Sequence, residues 1–226
     1  MHPLIPLFSP TMRTNRLLPV TTLIALCTLI TLPALTQPAE PSPWPTLAAV
    51  RDSLADAGPM VADFSQTFVP AGFSTGDTES GQLAVSLPDC LRWDYEEPYP
   101  KSFLLCGEQA HAWNGEDRSG RRYSVDREEE PGLDLLMLSV DTLRGRYQAE
   151  AAAVDGGRVE VRLSPNQPTA ALTEATLTVD PEAGRLTAVA YRDREGNATR
   201  FEVGSYRPLG DATATFRPPA DVRWEE

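Results

Sequence analysis

Histidine is nearly absent from this chain: His2 and His111 are the two it has. A Ser-His-Asp or Cys-His nucleophile system in the body of the chain would have to be built on His111. That residue stands between Ala110 and Ala112 in a segment that reads as a strand, with no neighbour in sequence to orient it. Cysteine is scarce too, at positions 27, 90 and 106, so one histidine and two mid-chain cysteines do not fill a tetrahedral metal shell. Phosphate loops, Cys-x-x-Cys pairs and zinc spacings are missing. Acids are plentiful, but they sit in turns or at alternate exposed strand positions. None is paired inside an apolar run, where its pKa would be tuned for acid–base work. No repeat of 20–50 residues is visible. These gaps predict no catalytic residue, no cofactor and no metal, and they point away from enzymes.

Positive charge is also short, with 20 Lys and Arg against 32 Asp and Glu. Two of those cations, Arg13 and Arg16, precede an uncharged run from Leu17 to Ala39. Its core, LLPVTTLIALCTLITL, has the length of a signal-peptide apolar region and is short for a membrane span. Small residues follow at Ala34, Thr36 and Ala39. Residues 1–36 therefore read as a cleaved secretory signal, with an uncleaved anchor as the alternative. Met12 offers a second start, which would make residues 1–11 an upstream extension. Cys27 follows Leu26 in mid-run, so it does not form a lipobox. Residues 37–226 then form a single domain with 18 basic and 32 acidic residues, a net charge of −14. Such a surface repels nucleic acid, which is excluded as a partner.

With Cys27 removed, the exported chain keeps two cysteines, an even count in an oxidising compartment. Cys90 and Cys106 are symmetric about Pro98, in the stretch DCLRWDYEEPYPKSFLLCG. A hairpin turning at Pro98 sets them opposite one another, at a spacing close to that of a disulfide. A Cys90–Cys106 disulfide is predicted; two free thiols are the alternative.

The same hairpin gathers apolar side chains. Period-two alternation puts Leu91, Trp93 and Tyr95 on one face, opposite Leu105 and Phe103, with the cysteines on the other face. Upstream, Leu47, Val50, Leu54, Ala57 and Val61 fall at helical spacing, broken at Gly58-Pro59. Leu83, Val85 and Leu87 alternate as a strand. QAHAWN and RRYSV read as short strands about the turn GEDRSG, and REEEPG as a solvated acidic break. In LDLLMLSVDTLRGRY, Leu133, Leu136, Met137 and Val140 fit a second helical stripe, apolar nearly all round. Alternation from Val159, ALTEATLTVD, RLTAVAYRD, EGNATRFEVGSYRP and ATATFRPP complete a set of strands with connections short enough for a meander. Periodicity alone favours an ordinary core, with two helical segments covering one apolar sheet face.

The order of segments resembles a known family. FSQTF after a helix, ESGQLAVSLPDCLRWDYEEP, SFLLCGEQAHAWN, a mid-chain LLMLSV and a terminal TFRPPADV look like the LolA family, periplasmic carriers of outer-membrane lipoproteins. The resemblance covers nearly all of residues 37–226. It implies an α+β fold, an incomplete and strongly curved antiparallel β-barrel whose helices form a lid over a hydrophobic cavity. By that resemblance Leu91, Trp93, Tyr95, Phe103 and Leu105 are cavity wall, and Leu54, Leu136 and Met137 are lid. It implies a monomer in the periplasm that takes acylated lipoproteins from an inner-membrane ABC-type release complex to an outer-membrane acceptor. A carrier of another envelope lipid and a non-transporting half-barrel sensor are the alternatives. One departure stands out: the family has a basic residue before the strand proline, bonded towards the lid. Here Leu87 precedes Pro88.

Overall fold

The computed structural model describes residues 40–125, 135, 137–169 and 171–225. The proposed signal segment, the acidic break at 127–132, Leu133 and Leu136 lie outside the described residues.

Helix α1 spans Pro43–Asp56, with proline in its first turn, where the missing N–H costs no bond. It buries Leu47, Val50 and Leu54 on one face. Gly58, at φ +72°, followed by Pro59, ends it as the sequence predicts. The chain then runs through β1 (Met60–Val69), β2 (Asp77–Ser86), β3 (Cys90–Glu97), β4 (Lys101–Cys106), β5 (Gln109–Asn114) and β6 (Ser119–Ser124). After α2 (Val140–Arg146) come β7 (Tyr147–Ala153), β8 (Val159–Pro165), β9 (Glu174–Asp180), β10 (Arg185–Arg192) and β11 (Ala198–Val203). Short β12 (Arg207–Pro208), α3 (Ala212–Thr215) and β13 (Arg223–Glu225) follow.

All thirteen described strands form one unclosed, curved sheet, in the order β13-β6-β5-β4-β3-β2-β1-β11-β10-β9-β8-β7, with β12 beside β1. Pairing is antiparallel except between β13 and β6. The predicted α+β class and incomplete barrel are what is seen. The strands run as two meanders, β1–β6 and β7–β11, which join where β1 pairs with β11, Phe64 opposite Val203. That long-range pairing curls the sheet around one buried cluster.

Three local readings are corrected. The second helix does not run through Met137; it begins after Ser139, whose Oγ accepts from the Thr142 N–H at 3.1 Å. Ser139 caps the helix, and Asp141 in the first turn suits its positive end. Met137 and Leu138 remain buried, in the turn before it. ATAT is a short helix rather than a strand, because Asp211 caps it by accepting from Ala214 N–H at 2.9 Å. Strand β7, YQAEAAA, has no strand-like composition; its pairing with β8 imposes the conformation.

The β3–β4 hairpin has the predicted register: Cys90 faces Cys106, Leu91 faces Leu105 and Trp93 faces Phe103. The two cysteines are disulfide-bonded with Cα atoms 4.2 Å apart. Cys106 packs on the outer face with Leu104, Trp113 and Val222, where the C-terminal segment crosses the sheet. Arg92 ties that segment down by donating to the Thr215 carbonyl at 2.7 Å. Peptide mapping without reductant is expected to recover Cys90 and Cys106 as one linked pair, and replacing both by serine to cost about 3 kcal/mol through the freed loop. Two alkylatable thiols in exported material would contradict the pairing.

Candidate functional site: an apolar concave face under a latched lid

The concave face is built from inward positions of successive strands. Val85, Leu91 and Leu105 stand level across β2, β3 and β4. One step along, Leu83, Trp93 and Phe103 stand level. The next step brings Gly81, Tyr95 and Lys101 level, and Phe64 of β1 lies opposite Gly81. A Cβ on Gly81 would meet the Asp94 carbonyl oxygen at 1.9 Å, so only glycine allows β2 and β3 to close up at this irregularity. Aromatic rings pack edge to face beside it: Phe64 with Tyr95 at 5.0 Å and Tyr95 with Phe103 at 5.9 Å between centroids. Burial pushes the Tyr95 hydroxyl pKa up, with Glu79 and then Tyr191 adding to the shift.

Over the other half of the sheet lie the helices. α1 packs on β10 and β7, α2 packs on β7, and the two helices touch. Leu54, Leu91, Trp93, Tyr95, Leu105 and Met137 all belong to one buried cluster, and Phe103 packs against it. The lid and the sheet wall are therefore two halves of one core. Beneath the helices, over β9 and β10, is a cavity of about 30 Å³, lined by residues that include Leu54, Leu87, Leu138, Leu143, Leu177 and Leu186. That is room for a water-sized molecule, not for an acyl chain. Among the described residues predicted to line the cavity, only Leu54 does so; Leu91, Trp93, Tyr95, Leu105 and Met137 pack elsewhere in the same cluster, with Phe103 against it.

A residue that the sequence reading passed over is Arg51. It stands on α1 and lines the same cavity as Leu87. Its guanidinium donates to the Leu138 carbonyl at 2.7 Å and to the Met137 carbonyl at 3.1 Å. These bonds tie α1 to the turn leading into α2. A second tie places the Arg144 guanidinium 5.7 Å from the Trp44 ring. The signal was present: Leu47, Val50 and Leu54 define the buried stripe, and Arg51 interrupts it four residues after Leu47. Leu87 is 8% exposed and adds to the cavity wall.

His111 stands on β5, its ring edge-on to Trp224 at 5.3 Å, and burial followed by Arg122 holds its pKa below the usual histidine range. Its Nδ1 is buried without a hydrogen-bond partner. Among the described residues, no group of three or more His, Cys, Asp or Glu side chains gathers to hold a metal. No described helix is long and apolar enough to cross a membrane.

This geometry has relatives. A protein from Nitrosospira multiformis described as an outer-membrane lipoprotein carrier protein is 22% identical over 179 residues, covering 78% of this chain and 86% of its own. Among solved structures, an uncharacterized conserved protein from Thermus thermophilus superposes with a TM-score of 0.52 at 10% identity, over 80% of this chain and 96% of that one. A LolA superfamily protein from Nitrosomonas europaea gives a TM-score of 0.44 at 7% identity, over 79% and 99%. The family profile described as outer membrane lipoprotein carrier protein LolA matches residues 56–216. Since that match runs from the end of α1 through strands β1–β12 to Phe216, well over half of the sequence, the chain belongs to the LolA family.

Proposed function

We propose that this chain is a periplasmic carrier that shields the acyl chains of lipoproteins in transit from the inner to the outer membrane. The observation that carries the reading is the shared core. The concave wall and the helices contribute side chains to one buried cluster, the cavity beneath the helices is no larger than a water, and Arg51 ties α1 to the turn leading into α2. An acyl chain that lifts the lid finds an apolar wall already formed. Transfer stabilises it by about 0.8 kcal/mol per buried CH₂, and water offers nothing comparable. Lid and cargo compete for the same surface, so the energy of lid closure limits how tightly cargo is held and helps to expel it. No bond is made or broken, so the role asks for no catalytic group.

Residues 1–36 act as the export signal and residues 37–226 as the single carrier domain. Leu91, Trp93, Tyr95, Phe103 and Leu105 form the wall, and Leu54, Leu136 and Met137 belong to the lid. In this reading the donor is an ABC-type release complex in the inner membrane and the acceptor sits at the outer membrane. The test is native purification from the periplasm followed by mass spectrometry. Acylated lipoproteins are the expected passengers. Phospholipid alone would make the cargo another envelope lipid, and an empty protein under conditions where lipoprotein is being exported would count against a carrier.

A further inference from the structure

The concave face is graded. Along three neighbouring strands, each inward row is more polar than the last: Val85, Leu91 and Leu105; then Leu83, Trp93 and Phe103; then Tyr95 and Lys101 beside Gly81. One step further, Gln66 of β1 lies opposite Glu79 of β2. The last two rows are wired together. Tyr95 Oη donates to Gln66 Oε1. Lys101 Nζ donates to both carboxylate oxygens of Glu79, at 2.6 and 2.9 Å, and lies 4.6 Å from the centre of the Tyr95 ring. Lys101 and Glu79 keep 37% and 21% of their side-chain surface exposed, so this end of the face meets water while Leu91, at 0%, does not.

Lys101 is the one lysine of the chain; the other 19 basic residues are arginines. An ion pair on the wall of an apolar bowl is weak evidence for stability, because well-packed apolar residues would serve as well or better. The pair does offer N–H donors at the edge of an apolar wall. Two of the three Lys101 N–H bonds face Glu79, leaving a third beside the Tyr95 ring, and the Gln66 amide N–H₂ has no partner among the described residues.

We infer that this polar row binds the ester carbonyls of glyceryl-linked acyl chains, fixing the depth at which the chains enter. Aliphatic tails then run over the Trp93 and Leu91 rows, and the carbonyls stop level with Tyr95 and Lys101. Glu79 neutralises Lys101, so the row favours uncharged carbonyl acceptors over a free carboxylate, which would have to sit against Glu79. The inference rests on the carrier reading and names what that site recognises.

The experiment compares two synthetic peptides bearing an S-diacylglyceryl cysteine, one with ester-linked chains and one with ether-linked chains of the same length. The purified chain is expected to bind the ester peptide about fivefold more tightly for each hydrogen bond that the ether lacks. Lys101→Met is expected to lose that preference while still binding the ether peptide. Should Lys101→Met fail to fold, the double variant Glu79→Leu, Lys101→Met removes the same donor without leaving the Glu79 carboxylate unpaired. A parallel arm with short-chain ester and ether phosphatidylglycerol identifies the source of the glyceryl ester. A Lys101-dependent ester preference in either arm bears the inference out. Equal binding of ester and ether peptides, or a preference that survives loss of the Lys101 amine, overturns it and leaves the carrier reading intact. Binding of neither peptide overturns the carrier reading itself, and this inference with it.

Discussion

Arg51→Met is expected to make the protein less stable and to hold its cargo more tightly at the same time. The guanidinium, on α1, donates to the carbonyls of Leu138 and Met137 in the turn leading into α2. Hydrogen bonds from a charged donor contribute more than neutral ones, and losing this pair should cost about 2 kcal/mol of closed-state stability. Cargo that parts α1 from the segment leading into α2 must break the same bonds, so their energy opposes binding. A state that no longer competes as strongly leaves the liganded state more populated, by about thirtyfold for the same 2 kcal/mol. Release to an acceptor should slow in proportion. The opposed signs are what make the test sharp. Damage to packing would lower stability and affinity together. The measurements are a denaturant midpoint and the dissociation rate of a fluorescent acylated peptide. Slower dissociation with a lower midpoint is expected. Faster or unchanged dissociation would remove Arg51 from the role of latch.

The second large effect is expected at Trp93. Its side chain is 5% exposed and lies in the middle row of the concave wall, between Leu83 and Phe103. In a permanently closed core, emptying this position costs roughly 3–5 kcal/mol, and placing a carboxylate there costs more. Against a typical total of roughly 5–15 kcal/mol, Trp93→Glu would then unfold the protein. In a wall whose cover is a separable lid, water reaches the carboxylate when the lid lifts. The variant should remain folded, with a lowered midpoint, and lose at least about tenfold in acyl-chain affinity, because an unpaired carboxylate then lines the path of the tails. Uptake of a fluorescent fatty-acid probe alongside chemical denaturation measures both. A variant that unfolds outright, or one that folds and takes up lipid normally, would refute the assignment of Trp93 to the cavity wall.

How much of this was legible in advance differs from one element to the next. The β3–β4 register was readable to the residue, since two cysteines symmetric about Pro98 and a period-two apolar pattern point to the same pairing. Strand β5 was legible for a related reason, as a short run, QAHAWN, bounded by turn residues. The start of α2 was misplaced, because the run LDLLMLSV carries helical periodicity and the cap at Ser139 overrides it. Strand β7 was missed, since alanine and glutamate carry no β preference of their own and only the neighbouring β8 orders them. Arg51 was passed over, although it breaks an apolar stripe, because its carbonyl partners lie far along the chain.

The sequence by itself determined what the protein is made to avoid and what it gathers: no recognisable nucleophile system or metal motif, an acidic surface, one stapled hairpin and an apolar face of alternating residues. Those follow from composition and from periods of two and 3.6, which are local properties. The tertiary structure decided the rest. It joined two meanders through β1 and β11, set a lid from residues 43–56 and 137–146 against that face, and placed the Arg51 guanidinium on carbonyls 86 and 87 residues away. It also brought Gln66, Glu79, Tyr95 and Lys101 from four strands into two adjoining polar rows. Such placements depend on the register and curvature of the whole sheet, and no short window of sequence holds that information.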